Sequence, residues 1–314
     1  MTVRSDGSRR VEQAQARFVR VAFAEWLGVT ISDVAHDRAV LVLPYRPEHL
    51  NAIGVLNGGA SASLLAMAGT LAAWTGVDLE TEPQLGCVDL SMQYLAAAGE
   101  EDVVAEAQVL RRGRGLAFLD VALRSRAGNP ICRGLLTYQA SDYAGHTPRL
   151  EARHVVLPPP TPLTPPDEHR LFRGYVRKLD IAPLHQSPGR TRLRMPCTSS
   201  HVDERGRLHA GALASIVDIA AVAATWSLVP RRPGARGSTI GMQVSFPGAS
   251  SEAVVADAHV QQRSEELLFS TVHVSTEVSG RLVALGQVSY RLLEPWPEGP
   301  KPSNSPQGRA PGTS

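Results

Sequence analysis

The sequence predicts an α+β protein built from two copies of one unit, each an antiparallel sheet wrapped on a single apolar helix. Three observations carry that expectation: a repeat at constant offset, a helix in each copy that is hydrophobic nearly all round, and alternating strand-type runs after it. The segment NGGASASLLAMAGTLAAW, Asn57 to Trp74, resembles HAGALASIVDIAAVAATW, His209 to Trp226, and both ends differ by 152 positions (209 − 57 and 226 − 74). Tyr94 with Phe246, Gly134 with Gly286, and Tyr138 with Tyr290 keep the same offset. A period this long marks a domain duplication, not a solenoid, and 314 residues suit two domains of ~150 each.

In chain order, residues 1–19 form an N-terminal segment, 20–140 a first domain, 141–168 a linker, 169–293 a second domain and 294–314 a disordered tail. Weak early strands are expected near Ile31–Val34 with Arg38–Leu43, and near Tyr175–Ile181 with Thr191–Arg194. The Ala/Leu/Val-rich stretches from Leu56 to Thr75 and from Leu208 to Leu228 lack a polar face, which marks buried helices. Four runs follow the first helix: LGCVDLSMQYL, DVVAEAQVLRR, GLAFLDVALRSR and PICRGLLTYQ. STIGMQVSF, EAVVADAHVQQR, LLFSTVHVSTE and LVALGQVSYRL follow the second. Their alternation, as in Val254, Ala256, Ala258 and Val260, is the period of a strand with one covered face. Gly113–Gly115, Ala127–Asn129, Ser264–Glu266 and Ser279–Gly280 read as hairpin turns. The linker holds Pro148, Pro158, Pro159, Pro160, Pro162, Pro165 and Pro166, a poor helix or strand and a good extended spacer.

Composition narrows the function classes. With 43% hydrophobic residues, 20% charged and a net charge of +2, nothing in the composition suggests a nucleic-acid binder, which needs basic residues concentrated on one face. Cys87, Cys132 and Cys197 are widely spaced with no CxxC pair, which speaks against a disulfide scaffold or a structural zinc site. No cofactor or metal is expected. The polar N-terminus has no apolar signal core and no run reaches the ~18 apolar residues of a membrane span, so a cytoplasmic protein is the default expectation.

The order of elements, with EHLNAIGVLNGGASASLLAMAG, then LGCVDLSMQYL, then LRRGRGLAF, resembles the PaaI-like, 4-hydroxybenzoyl-CoA thioesterase-type hotdog family. The resemblance covers residues 20–140 well and 170–293 more loosely. Its pattern is an Asn, six residues later a His-Gly-Gly opening the helix, an Asp nine residues after the His, and a Ser or Thr on the next strand. It implies tandem hotdog domains paired as a pseudo-dimer, with active sites between the two copies. In the first copy Asn51 matches the Asn, Asn57 replaces the His, and Gly58 and Gly59 match the glycine pair, while Ala66 and Cys87 stand at the acid and hydroxyl positions. In the second, Asp203 stands at the Asn position, His209, Ala210 and Gly211 follow, and Asp218 and Thr239 match the acid and the hydroxyl. The defects are complementary. One interface would combine Asn51, Asn57, Gly58, Asp218 and Thr239; the opposite one, with Asp203, His209, Ala210, Ala66 and Cys87, would lack the helix acid.

The resemblance implies an acyl-CoA thioesterase with one composite site. Asp218, Asn51, Gly58 and Thr239 would be catalytic, and Asn57 and Gly59 would bind substrate. An N–H in the first turn of a helix has no intrahelical partner and carries the positive end of the dipole, so Gly58 suits an oxyanion. Asp218 would be general base or nucleophile, Asn51 would position the carbonyl or the water, and Thr239 would hold the water or the carboxylate. Each residue also has a structural reading: Asp218 as a satisfied core carboxylate, Gly58-Gly59 as close packing, Asn51 as a turn residue, Thr239 as an ordinary strand residue. His209 reads as a helix-start residue, and Cys87 as a small core cysteine. Arg111, Arg112 and Arg114, with Arg231 and Arg232, are candidates for coenzyme A phosphates or simply solvated charges. The alternative function is a non-catalytic acyl-CoA-binding or scaffolding protein. A hotdog hydratase would need an Asp and a His in a local arrangement absent here. A homo-oligomer is a plausible assembly.

Overall fold

The computed structural model describes residues 6–80, 85–140, 170–229 and 235–293. The linker and the tail expected from the sequence, and Arg231 and Arg232, lie outside these residues.

Among the described residues twelve antiparallel strands form one sheet in the order β1-β2-β4-β5-β6-β3-β9-β12-β11-β10-β8-β7. The first six are β1 (Thr30–Ala35), β2 (Arg38–Leu43), β3 (Leu85–Tyr94), β4 (Val103–Gly113), β5 (Leu116–Ser125) and β6 (Pro130–Ala140). The second six are β7 (Ala182–Ser187), β8 (Arg190–Met195), β9 (Arg236–Ser245), β10 (Val254–Ser264), β11 (Leu267–Thr276) and β12 (Leu282–Leu293). Each set therefore has one internal order, and the sets meet edge to edge where β3 pairs with β9. At that seam Ser91 lies opposite Gln243, its own counterpart in the repeat.

Among the described residues five α-helices accompany the sheet: α1 (Asp6–Phe18), α2 (Ala22–Leu27), α3 (Gly58–Trp74), α4 (Tyr175–Lys178) and α5 (Ala210–Trp226). The two long apolar helices are α3 and α5. Every α3 residue from Gly59 to Trp74 is buried, because the sheet covers one side and α5 the other. They touch through small residues. A Cβ on Gly59 would lie 2.9 Å from the Ser215 Cβ, and one on Gly211 would lie 2.7 Å from the Ser63 Cα, so only glycine permits this approach. The Ser63 and Ser215 hydroxyls lie 3.0 Å apart, with the Gly211 carbonyl within reach as an acceptor for Ser63 and the Gly59 carbonyl for Ser215.

The short helices tie each half to the other. The Phe23 N–H donates to the Val202 carbonyl at 3.2 Å, and the Tyr175 N–H to the Leu50 carbonyl at 3.4 Å, again counterpart contacts. Here the sequence reading needs correction. The segment 175–181 was expected as a strand, but Tyr175–Lys178 is helical and β7 begins at Ala182. Tyr, Arg, Leu and Ile do alternate in YVRKLDI. Tyr175, Val176 and Leu179 are buried, at i, i+1 and i+4, which is one face of a helical turn, and Ile181, also buried, follows it just before β7. Within the segment given as 1–19, Asp6–Phe18 forms α1, where Ala14 and Phe18 are buried.

Candidate active site

The starts of α3 and α5 are built alike. Asn57 precedes α3 with an extended backbone, and its Oδ1 accepts the Gly59 N–H at 2.8 Å. His209 does the same for α5, its Nδ1 accepting the Gly211 N–H at 3.0 Å. Both residues are therefore N-caps, which satisfy one of the donors a helix start leaves open. The Gly58 N–H, at the first helical position, has no acceptor among the described residues.

A cavity of about 450 Å³ opens at the start of α3, between the two halves. Asn51, Asn57, Gly58, Tyr94, Asp218 and Thr239 line it, so five of the six residues singled out from the sequence converge there. Gly59 is the exception. It is absent from the cavity wall because its N–H is held by Asn57 and its missing side chain faces Ser215.

Asp218 projects from the middle of α5 and is 3% exposed. The Thr239 hydroxyl donates to its Oδ1 at 2.7 Å. Burial pushes the carboxyl up to about 6, against the opposing pull of that hydrogen bond. The second oxygen sits against Gly58, where a Cβ would fall 2.7 Å from Oδ2. Gly58 is thus glycine because a carboxylate from the other half occupies the space of a side chain.

Strand geometry explains why Thr239 reaches Asp218. Met242 and Val244 point into the core, so strict alternation along β9 would turn Thr239 outward. Ser289 pairs with Gly241 but Tyr290 pairs with Thr239, so Ile240 is an extra residue in β9. A bulge of this kind reverses the parity of the strand and re-aims the side chain beside it. The counterpart bulge, at Val88 in β3, does the same for Cys87.

Asn51 fulfils its structural reading and leaves a group to spare. Its Oδ1 accepts the Ile53 and Val55 N–H groups at 3.0 and 3.3 Å, closing a turn. Its Nδ2 has no acceptor among the described residues and belongs to a cavity-lining side chain. Asp203 closes the same turn in the second half, but its Oδ2 is taken by Arg207 at 2.8 Å.

Tyr94 is a cavity residue the sequence reading did not assign to the site. Its hydroxyl donates to the Gly58 carbonyl at 3.0 Å, and burial raises its pKa well above the ordinary value. The available signal was the mismatch with its counterpart Phe246, which has no hydroxyl. Trp226 and Tyr290, joined by a 3.0 Å hydrogen bond, also line the wall. Arg112, one of the candidate phosphate ligands, is engaged by Asp37 and by the Ala73 carbonyl at the end of α3.

A second cleft lies at the start of α5 and is lined by Cys87, Tyr138, Asp203, His209, Ala210 and Phe246 among others. Ala66, fully buried, stands at the repeat position of Asp218. The Cys87 thiol donates to the Asp89 carbonyl at 3.4 Å, and burial pushes it up to about 12, so it is no thiolate nucleophile at neutral pH.

Among the described residues no group of side chains has the makings of a metal site, and no helix is long and apolar enough to cross a membrane.

Comparison with known proteins agrees with this architecture. Residues 46–139 match the family described as the acyl-CoA thioesterase N-terminal domain. The human protein acyl-coenzyme A thioesterase 13 is 29% identical over 125 residues, which is 39% of this chain and 86% of that protein. A hot dog fold protein from Alicyclobacillus acidocaldarius superposes with a TM-score of 0.63 at 16% identity, covering 87% of this chain and 98% of the other. An acyl-CoA thioesterase II from Mycobacterium marinum gives 0.58 at 14% identity over 87% and 99%. The structural likenesses span both halves and show the fold, and the sequence matches are confined to part of the chain. The chain has the hotdog fold, and its first half is similar to acyl-CoA thioesterases of that fold.

Proposed function

We propose that the chain is an acyl-CoA thioesterase of the PaaI-like type, a tandem of two hotdog domains paired as a pseudo-dimer, with one composite active site between them. The observation that carries the proposal is the approach of Asp218, from the second half's helix, to Gly58 at the start of the first half's helix. The division into domains at 20–140 and 169–293 follows the repeat. Pairing about a local twofold is supported by counterpart contacts: Ser63 with Ser215, Ser91 opposite Gln243, and Lys178 over the Trp26 ring. A residue that touches its own counterpart lies on or near such an axis.

In this reading the thioester carbonyl oxygen sits at the start of α3, where the Gly58 N–H and the Asn51 Nδ2 donate to it. The Asp218 carboxylate takes a proton from a water molecule as the water oxygen bonds to the carbonyl carbon. The carbonyl electron pair moves onto oxygen, facing the Gly58 N–H and the helix dipole; one such donor contributes about 3 kcal/mol to transition-state stabilisation. Collapse of the tetrahedral intermediate breaks the carbon–sulfur bond. The departing thiolate takes the proton from Asp218, leaving a carboxylic acid, coenzyme A and the regenerated base. A carboxyl tuned to about 6 is ionised at neutral pH yet close enough to it for efficient proton transfer. Thr239 fixes one carboxylate oxygen and leaves the other toward the reacting centre. Tyr94 holds the Gly58 peptide, and Asn57 caps the helix so that the Gly58 N–H stays unpaired.

The test is direct. The purified chain is incubated with aromatic, short and long acyl-CoAs and a thiol reagent. Release of free thiol from at least one class is expected; no release from any class contradicts the proposal.

A further inference from the structure

The second cleft is larger than the first, about 730 Å³, and is equipped differently. His209 lines it, is 4% exposed, and uses Nδ1 to accept the Gly211 N–H. A neutral imidazole that accepts at Nδ1 carries its proton on Nε2. Burial holds the ring neutral, with its pKa pulled down to about 4. No described group accepts from that N–H, and unlike the sealed ring nitrogens of His49 it opens onto the cleft. Beside it is Ala210, whose N–H begins α5 and has no intrahelical acceptor.

Two N–H donors and the positive end of a helix dipole therefore face the cleft. The acids at its mouth are already neutralised: Asp203 holds Arg207 at 2.8 Å, and Glu204 holds Arg17 at 2.7 Å. With Ala66 in place of a helix acid, the donors have no base beside them. Trp74, Leu213 and Phe246 supply apolar wall.

We propose that the second cleft binds an acyl chain without hydrolysing it, holding the terminal carbonyl or carboxylate oxygen on the His209 Nε2–H and the Ala210 N–H. The acyl class of the ligand rests on the thioesterase reading of the first cleft. Its source is either an intact thioester or the carboxylate released by the first cleft, and the test separates them.

The test is calorimetric titration of the full chain with two probes: dodecanoate, and a dodecanoyl-CoA analogue in which a methylene separates sulfur from the carbonyl. His209→Asp is the variant, because aspartate is a preferred N-cap that keeps the helix start while removing the donor and adding negative charge. The wild type is expected to take up an equivalent of at least one probe that the variant binds at least about tenfold more weakly. Thiol release from dodecanoyl-CoA should stay within about twofold in the variant, a change of under half a kcal/mol. Loss of an analogue equivalent identifies the thioester as the ligand; loss of dodecanoate alone identifies the carboxylate. Unchanged uptake of both probes by the variant overturns the second site and leaves the first standing. No uptake of either probe by the wild type overturns the second site, and the thioesterase reading falls with it only if no acyl-CoA class releases thiol.

Discussion

At Asp218 burial and a single hydroxyl pull in opposite directions, and the outcome fixes how the site responds to pH. Burial has pushed the carboxyl up from 3.8 to about 6, and the Thr239 bond has limited that rise. The acidic limb of the kcat/KM profile should therefore lie near pH 6. Thr239→Val removes the group that lowers the pKa, so the limb should move to higher pH and the rate at neutral pH should fall. An unmoved limb would mean that another group titrates. A folded pKa above the unfolded one also means that the native chain holds the extra proton between about 4 and 6. Stability is therefore lost as pH rises through that window. Asp218→Asn should be more stable than the wild type at pH 7 by on the order of 2–3 kcal/mol in urea unfolding, and no more stable below pH about 4. Gly58→Ala places a Cβ 2.7 Å from the Asp218 carboxylate, and displacing that group should cost at least about a hundredfold in kcat. Much of this was legible in the sequence, since Gly58, Asp218 and Thr239 fell on the spacings of the family pattern. Asn51 fell on that pattern too; which of its atoms is left open, and the placing of Tyr94 in the cavity, were not legible, because both depend on which side-chain atoms are already occupied.

At the scale of the element, two helix starts and one bulge position the chemistry. Asn57 and His209 cap α3 and α5 with different atoms but the same geometry. Asn57→Ala should cost about 1 kcal/mol of stability, whereas Asn57→His, which copies the second half, should fold with a smaller loss; thermal unfolding of the two variants checks the order. Asparagine is among the commonest N-cap residues, so the capping role could be read locally. The bulge at Ile240 could not. Nothing in GSTIGMQVSF marks where the extra residue sits, because its position is set by pairing with β12 and by what Thr239 meets on α5. The helix at Tyr175–Lys178 is a similar case. Its alternating pattern suits a strand, and contact of Tyr175 with Ser63 and Ser215 decides otherwise.

For the whole molecule, the proposed tandem arrangement accounts for the difference between the two clefts. Where the first cleft brings an acid to a glycine, the second has Ala66 and Ala210 at the same repeat positions. In the proposed composite site, Asn51, Asn57 and Gly58 come from the first half and Asp218 and Thr239 from the second. The repeat was plain in the sequence because it preserves the apolar helix and its glycine contacts, which the crossing of α3 and α5 demands. The meeting of β3 with β9 in a single twelve-stranded sheet was not, since edge pairing leaves no local signature. The central claim is that one acid on α5 drives turnover and that the second cleft contributes none. Steady-state thiol release from an acyl-CoA substrate by the wild type, Asp218→Ala and Cys87→Ser measures it. Asp218→Ala should lose at least about a hundredfold in kcat while Cys87→Ser stays within about twofold; an Asp218→Ala chain that hydrolyses the thioester at the wild-type rate would contradict the account.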